Sequence, residues 1–183
     1  NAGLWTPPDQ VEEKIGKDVG ARLNETLDAG PAVVFDLIEK NQILCEAVRE
    51  GTLHCAHSKA GLRDLENRYA LQEARGAPVK LLDARETARR TGSTAYCGAL
   101  WDARAGTIQP LAYVQGLARA AAAQGAQIFE DSSAVSITEA TEGWTVKTAQ
   151  GEVRAARLIQ ATNAYGVDAA DDNAIVPAHY FQL

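Results

Sequence analysis

The residues that could carry chemistry are few, and their spacing excludes more than it assigns. Cys45, Cys55 and Cys97 are odd in number and lack CxxC spacing. That argues against a disulfide framework and against a zinc site. It fits three reduced, partly buried thiols in a cytoplasmic protein. His54, His57 and His179 are of a type that titrates near neutrality, yet they form no metal-ligand spacing with carboxylates. The sequence also lacks a GxGxxG phosphate loop. Beyond these, no spacing of residue types assigns a reaction. No residue stands out as a catalytic base.

These positions need elements to hold them. Pro8 or Asp9 suits a helix start, and a short helix runs to about residue 14. A longer helix is expected over 18–41, where Val19, Leu23, Leu27, Val34, Leu37 and Ile38 recur at helical spacing. Gly30-Pro31 should kink or restart it. Strands are expected at 52–57, 79–82 and 97–101, and helices at 59–75 and 84–90, with Gly76 and Gly92 ending the helices and Asp83 capping the second. The helix 110–124 starts at Pro110 and stops at Gly125, with Leu111, Val114, Leu117, Ala118 and Ala121 on one face. Residues 127–130 read as a short buried strand. A meander then follows over 133–138, 144–148 and 152–161, with a tight turn at Gln150-Gly151. Helix 110–124 and the strands at 127–130 and 157–161 would belong to a nucleotide-binding sheet. Ala161-Thr162-Asn163 would close a parallel strand, beyond whose carboxyl end ligands lie on open α/β sheets.

The bulk numbers agree with a folded domain or parts of two. The chain has 183 residues, of which 46% are hydrophobic and 23% charged. A net charge of -6 argues against a nucleic-acid binder, which needs basic surface to replace counterions on phosphate. No apolar run approaches the roughly 20 residues that cross a bilayer, and no signal peptide is visible. The chain opens at Asn1 without Met and stops just after an apolar segment, so both ends read as cut from a longer protein.

Four segments, in order, carry a family resemblance. They are Asn1-Ala2-Gly3-Leu4-Trp5; Gly106-Thr107-Ile108-Gln109-Pro110-Leu111-Ala112-Tyr113; Gly125-Ala126-Gln127-Ile128-Phe129-Glu130 with Ser133-Ala134-Val135-Ser136-Ile137; and Leu158-Ile159-Gln160-Ala161-Thr162-Asn163-Ala164-Tyr165. Together they resemble the D-amino-acid oxidase and glycine oxidase superfamily of FAD-dependent oxidoreductases. Within it, the look is closest to gamma-glutamylputrescine oxidase-like members.

The resemblance implies a mixed α/β (α+β) chain with FAD-binding-type sheet segments, a β-meander and part of an interleaved substrate domain. Residues 1–8 would contact flavin, 9–106 would be mostly substrate-side, 107–168 would be an FAD-binding segment, and 169–183 would return toward the substrate domain. It also implies FAD as cofactor and a small amine or amino acid as substrate, oxidised at its C–N bond by hydride transfer to flavin. Backbone at Gly3 and Leu4 would lie along the flavin ring and bond its pyrimidine edge. Ala134, with Val135 as the alternative, would pair with adenine through backbone. Ala161, Thr162 and Asn163 would let the ADP part pass, so that these small residues converge on one dinucleotide. His54, His57 and Trp101 would be substrate-pocket candidates. The opening βαβ unit and the acidic residue for the adenosine ribose are missing from the pattern, so weak FAD binding and no activity are expected of this piece alone. Two other readings remain at this point: a cofactor-free binding or structural domain, and a related FAD-dependent hydroxy-acid or glycerol-phosphate dehydrogenase.

Overall fold

The computed structural model describes residues 2–4 and 6–162. The chain divides into two compact units, Asn1–Ala126 and Gln127–Leu183.

The first unit opens with a helical hairpin. Helix α1 (Pro8–Ile15) starts on Pro8, whose fixed φ suits the first helical position. Gly16, at φ +92, turns the chain into α2 (Lys17–Lys40). The two helices touch closely at Gly20, where a Cβ would come within 2.5 Å of the Glu12 backbone. Buried Asn24 stitches them, donating to the Pro8 carbonyl at 3.0 Å and to Glu12 at 3.2 Å. The expected restart at Gly30-Pro31 does not occur: α2 runs through Pro31 as one helix. Its far half packs on the unit's other elements through Phe35 and Ile38, and that burial outweighs one lost helical bond.

Strands β1 (Thr52–Ala56), β2 (Val79–Asp83) and β3 (Gly98–Asp102) form an antiparallel sheet in the order β1-β3-β2. His54 pairs with Leu100, and Thr52 and Val79 both pair with Asp102. Facing partners share a sheet face and successive residues alternate. One face therefore carries Ala56, Leu100 and Val79, covered by Leu65 of α3 (Lys59–Glu73). The opposite face carries Leu82 and Ala99, both buried, against α4 (Ala84–Thr91). Ser58 caps α3 by accepting from Gly61 N–H, and Asp83 caps α4 by accepting from Glu86 N–H.

Helix α5 (Pro110–Ala123) packs on the end of α2 through Ala112, Tyr113 and Leu117, in a core with Phe35, Ile38, Ile43 and Cys45. Gly116 presses on Ile43, so that a Cβ there would lie 2.2 Å from Cγ2. This contact fixes which face is buried. Leu111 and Val114, set on one face with Leu117 by their spacing, are exposed.

The second unit is a meander, β4 (Ser136–Ala140), β5 (Gly143–Lys147) and β6 (Glu152–Ala155), in sequential antiparallel order. Ile137, Val146 and Val153 line up across it. The Gln150-Gly151 turn is closed by Thr148, whose N–H donates to Gly151 O and whose Oγ1 accepts from Gly151 N–H. Two expected strands are corrected. Residues 127–130 and 156–162 form no strand among the described residues, and Ile128, Phe129 and Ile159 are exposed. An apolar run becomes a strand only when a neighbour takes its N–H and C=O groups, and no described strand lies beside either run.

Candidate functional site

The first unit holds a cleft whose floor is the N-terminal segment Ala2-Gly3-Leu4. Two contiguous cavities, of about 210 and 30 Å³, share these three residues together with Arg68 and Gln72. The larger also reaches Asp28, Arg75 and Arg104, and the smaller reaches His54, Leu100 and Asp102.

Each polar group has a structural reason to be there. His54 lies on the α3 face of the sheet, as the pair partner of Leu100 and two residues from Asp102 in register. Arg68 and Gln72 are one turn apart on α3. Asp102 ends β3 and is buried, with 4% of its surface exposed. Arg104 grips it: Nε donates to Oδ1 at 3.0 Å, Nη2 to Oδ2 at 2.7 Å, and the Arg104 backbone N–H to Oδ1 at 3.0 Å. Arg104 Nη1 also meets Asp28 Oδ1 at 3.0 Å, tying β3 to α2. Arg75 pairs with Glu12 at 2.8 Å and closes the other side.

The electrostatics follow from burial and these pairs. Burial pushes the Asp102 carboxyl upward, but the Arg104 hydrogen bonds and charge outweigh it and hold the group below the usual carboxylate range. His54 is shifted down, first by burial and then by the Arg68 charge, with Asp102 opposing. At neutral pH it is a neutral imidazole beside an ionised carboxylate. The cleft thus offers guanidinium groups, a carboxylate pair and a neutral imidazole around bare backbone.

Gly3 shapes that backbone. Its φ is +72, a left-handed conformation that L side chains rarely adopt, and a Cβ would sit 2.9 Å from Asp28 Oδ1. Its N–H is engaged, donating to Leu27 O at 3.3 Å. Gly3 therefore supplies close approach, while its donor is turned to α2 and away from any ligand. The missing Cβ lets segment 2–4 seat against Asp28 of α2, and that backbone borders both cavities.

The other expected residues sit elsewhere. Trp101 neighbours Leu100 on β3 and so points to the opposite sheet face, where Lys80 and Arg90 stack on its ring at 5.6 and 5.4 Å and Nε1 donates to Glu50 O at 3.0 Å. His57 lies just past β1 and is exposed, lining neither cavity. Ala134, half-buried, precedes β4, and the adjacent Val135 N–H donates to Lys147 O. Ala161 and Thr162 are exposed and follow no strand end, because the strand expected to carry them does not form. Asn163 and His179 lie outside the described residues. Among the described residues no group of three His, Cys, Asp or Glu could hold a metal ion, and no helix is long and apolar enough to cross a membrane.

Sequence reasoning missed Asp28, Arg68, Asp102 and Arg104. One signal was available: Asp102-Ala103-Arg104 follows the apolar run Ala99-Leu100-Trp101, and an acid closing a buried strand needs a cation within reach.

The whole chain also has known likenesses. The model of the FAD-dependent oxidoreductase (DAO) family matches residues 1–181. Gamma-glutamylputrescine oxidoreductase of Escherichia coli is 34% identical over 158 residues, 86% of this chain and 37% of that protein. The probable oxidoreductase OrdL of Rhizobium meliloti is 31% identical, over 88% of this chain and 38% of its own length. Among solved structures, glycine oxidase from Geobacillus kaustophilus matches with a TM-score of 0.65 and 25% identity, covering 75% of this chain and 38% of that one. L-proline dehydrogenase from P. horikoshii shares the fold, with a TM-score of 0.64 at 19% identity. The chain spans well under half the length of the relatives it matches.

Proposed function

The chain belongs to the DAO family of FAD-dependent oxidoreductases, and from that premise we propose that the complete protein oxidises the C–N bond of a small amine or amino acid. One observation carries the reading: the Ala2-Gly3-Leu4 backbone opens onto a cleft lined by His54, Arg68, Asp102 and Arg104. Support comes also from the gamma-glutamylputrescine oxidoreductase and glycine oxidase likenesses.

FAD, when bound, supplies the acceptor for the hydride that leaves the carbon of the C–N bond. The chain's own groups bind and orient. Segment 2–4 gives the ring a surface without side chains at Gly3. The Arg68 guanidinium suits an acidic end of the substrate, because its planar fork matches a carboxylate. His54 and Asp102, the latter fixed by Arg104, border the same cleft and can orient the nitrogen of the substrate. For the rest of the chain the family resemblance alone supports the assignment: backbone at Ala134 toward adenine, Ala161 and Thr162 toward the ADP part, residues 1–8 at the flavin, 9–106 mostly substrate-side and 107–168 in the FAD-binding domain. A cytoplasmic location belongs to the same proposal and is supported by the free thiols of Cys45, Cys55 and Cys97.

The test is anaerobic bleaching of the flavin in the full-length protein. A panel of amines, amino acids and 2-hydroxy acids is added in turn. Bleaching by an amine or amino acid, followed by release of ammonia or a shorter amine, is the expected outcome. A yellow protein reduced by hydroxy acids alone, or a folded colourless one, would overturn the reading.

A further inference from the structure

Helix α2 passes through Pro31 without ending. Proline has no N–H, and in an α-helix the N–H of residue 31 would bond the carbonyl of residue 27. The Leu27 carbonyl therefore loses its usual donor. It receives one from outside the helix, the Gly3 N–H at 3.3 Å. Gly3, Leu27, Gly30 and Pro31 line one cavity, so the freed carbonyl faces the place where the N-terminal segment docks. The neighbouring residue frames the same seat. Asp28 Oδ1 would lie 2.9 Å from any Cβ at position 3, and Asp28 is itself drawn to Arg104 at 3.0 Å.

We infer that Pro31 is a positioning residue: by vacating the Leu27 carbonyl it creates the backbone seat that sets segment 2–4 at the floor of the cleft. The inference rests on the proposed function at one point alone, that this segment lies along the flavin. Pro31 lines neither cavity that holds the polar groups. A change there alters the segment's anchorage and leaves the cleft's charges in place. A residue with an N–H at position 31 gives Leu27 an intrahelical donor in competition with Gly3.

The experiment is Pro31→Ala in the full-length protein, followed by amide hydrogen exchange of the peptide covering residues 1–7, the N-terminal peptide of this chain, and by flavin absorbance. Exchange is read with flavin stripped and with flavin bound. Gly30→Ala is the control. It improves helix propensity next door, its Cβ meets nothing within 4 Å, and position 31 still lacks an N–H. Pro31→Ala is expected to speed exchange in the N-terminal peptide by roughly threefold to tenfold, the scale of one net hydrogen bond. The α2 peptides should exchange no faster, and Gly30→Ala should leave the N-terminal peptide as in the parent. With flavin bound, the visible band should shift and retention through dialysis should fall. Unchanged N-terminal exchange in Pro31→Ala overturns the inference, and so does an equal effect of Gly30→Ala. Faster exchange with an unaltered flavin band and retention upholds the seat and instead removes the flavin from segment 2–4.

Discussion

Replacing Asp102 by Asn tests the charge arrangement of the cleft directly. The carboxylate accepts three hydrogen bonds from Arg104, and the side chains are only 6% and 16% exposed. Removing one partner of a buried pair costs about 3–5 kcal/mol. Two features reduce that here. Arg104 keeps Asp28, although Asp28 is 43% exposed and such screened pairs contribute roughly 0.5 kcal/mol. The amide oxygen also still accepts from the Arg104 backbone. The expected loss at neutral pH is therefore about 2–3 kcal/mol. Its pH dependence has a definite sign. The folded-state pKa of Asp102 is lowered, so its contribution is complete above the unfolded carboxylate value near ~4. It fades as pH falls through the folded value, where both states are protonated. Urea melts of parent and variant, from neutral pH in steps to about pH 3, should show curves that converge on the acid side. A penalty below about 0.5 kcal/mol, or one equally large in acid, would refute the account of a buried, Arg-held carboxylate.

Three other expectations follow from single contacts. Gly116→Val should destabilise the protein by about 1–3 kcal/mol through overpacking on Ile43, and adding Ile43→Ala should recover part of that in a double-mutant cycle. His54 is held neutral by burial, so the unfolded chain takes up its proton first as pH falls below about 6.5, and stability drops there. His54→Asn should flatten that slope in melts between roughly pH 5 and 7, whereas His57→Ala should change stability by no more than about 0.5 kcal/mol. Asp83→Ala should cost about 1 kcal/mol by uncapping α4, seen as a lower urea midpoint at unchanged slope.

Most helices and the first sheet were legible because their signals are local: Pro8 and Pro110 at helix starts, Asp83 as a cap, and Gly92 at a left-handed helix end. The misreadings share one cause, dependence on partners distant in sequence. Pro31 looked like a break because the core beneath Phe35 and Ile38 is invisible from the helix alone. Residues 127–130 and 157–161 have strand-like composition, yet pairing is a property of two segments. The buried face of α5 is likewise set by the contact of Gly116 with Ile43, a residue in another element, which leaves Leu111 and Val114 exposed. At the cleft, Gly3 and Leu4 were singled out from family likeness and His54 from residue type, and all three border it. The Asp28–Arg104–Asp102 chain was not, since it joins α2 to the end of β3 across more than seventy positions of sequence.

The sheet's topology sets an order on how the cleft is assembled. The strands leave the ribosome as β1, β2, β3, but β3 is the central one and pairs with both others. Until Gly98–Asp102 has been synthesised, β1 and β2 have no ladder to join, and both edges that will flank β3 stand unpaired. His54 therefore emerges nearly fifty residues before the carboxylate that will neighbour it. Asp102 completes its pairing with Thr52 and Val79 only once Gly98–Asp102 is in place, and Arg104, two residues behind it, is the cation that then neutralises it.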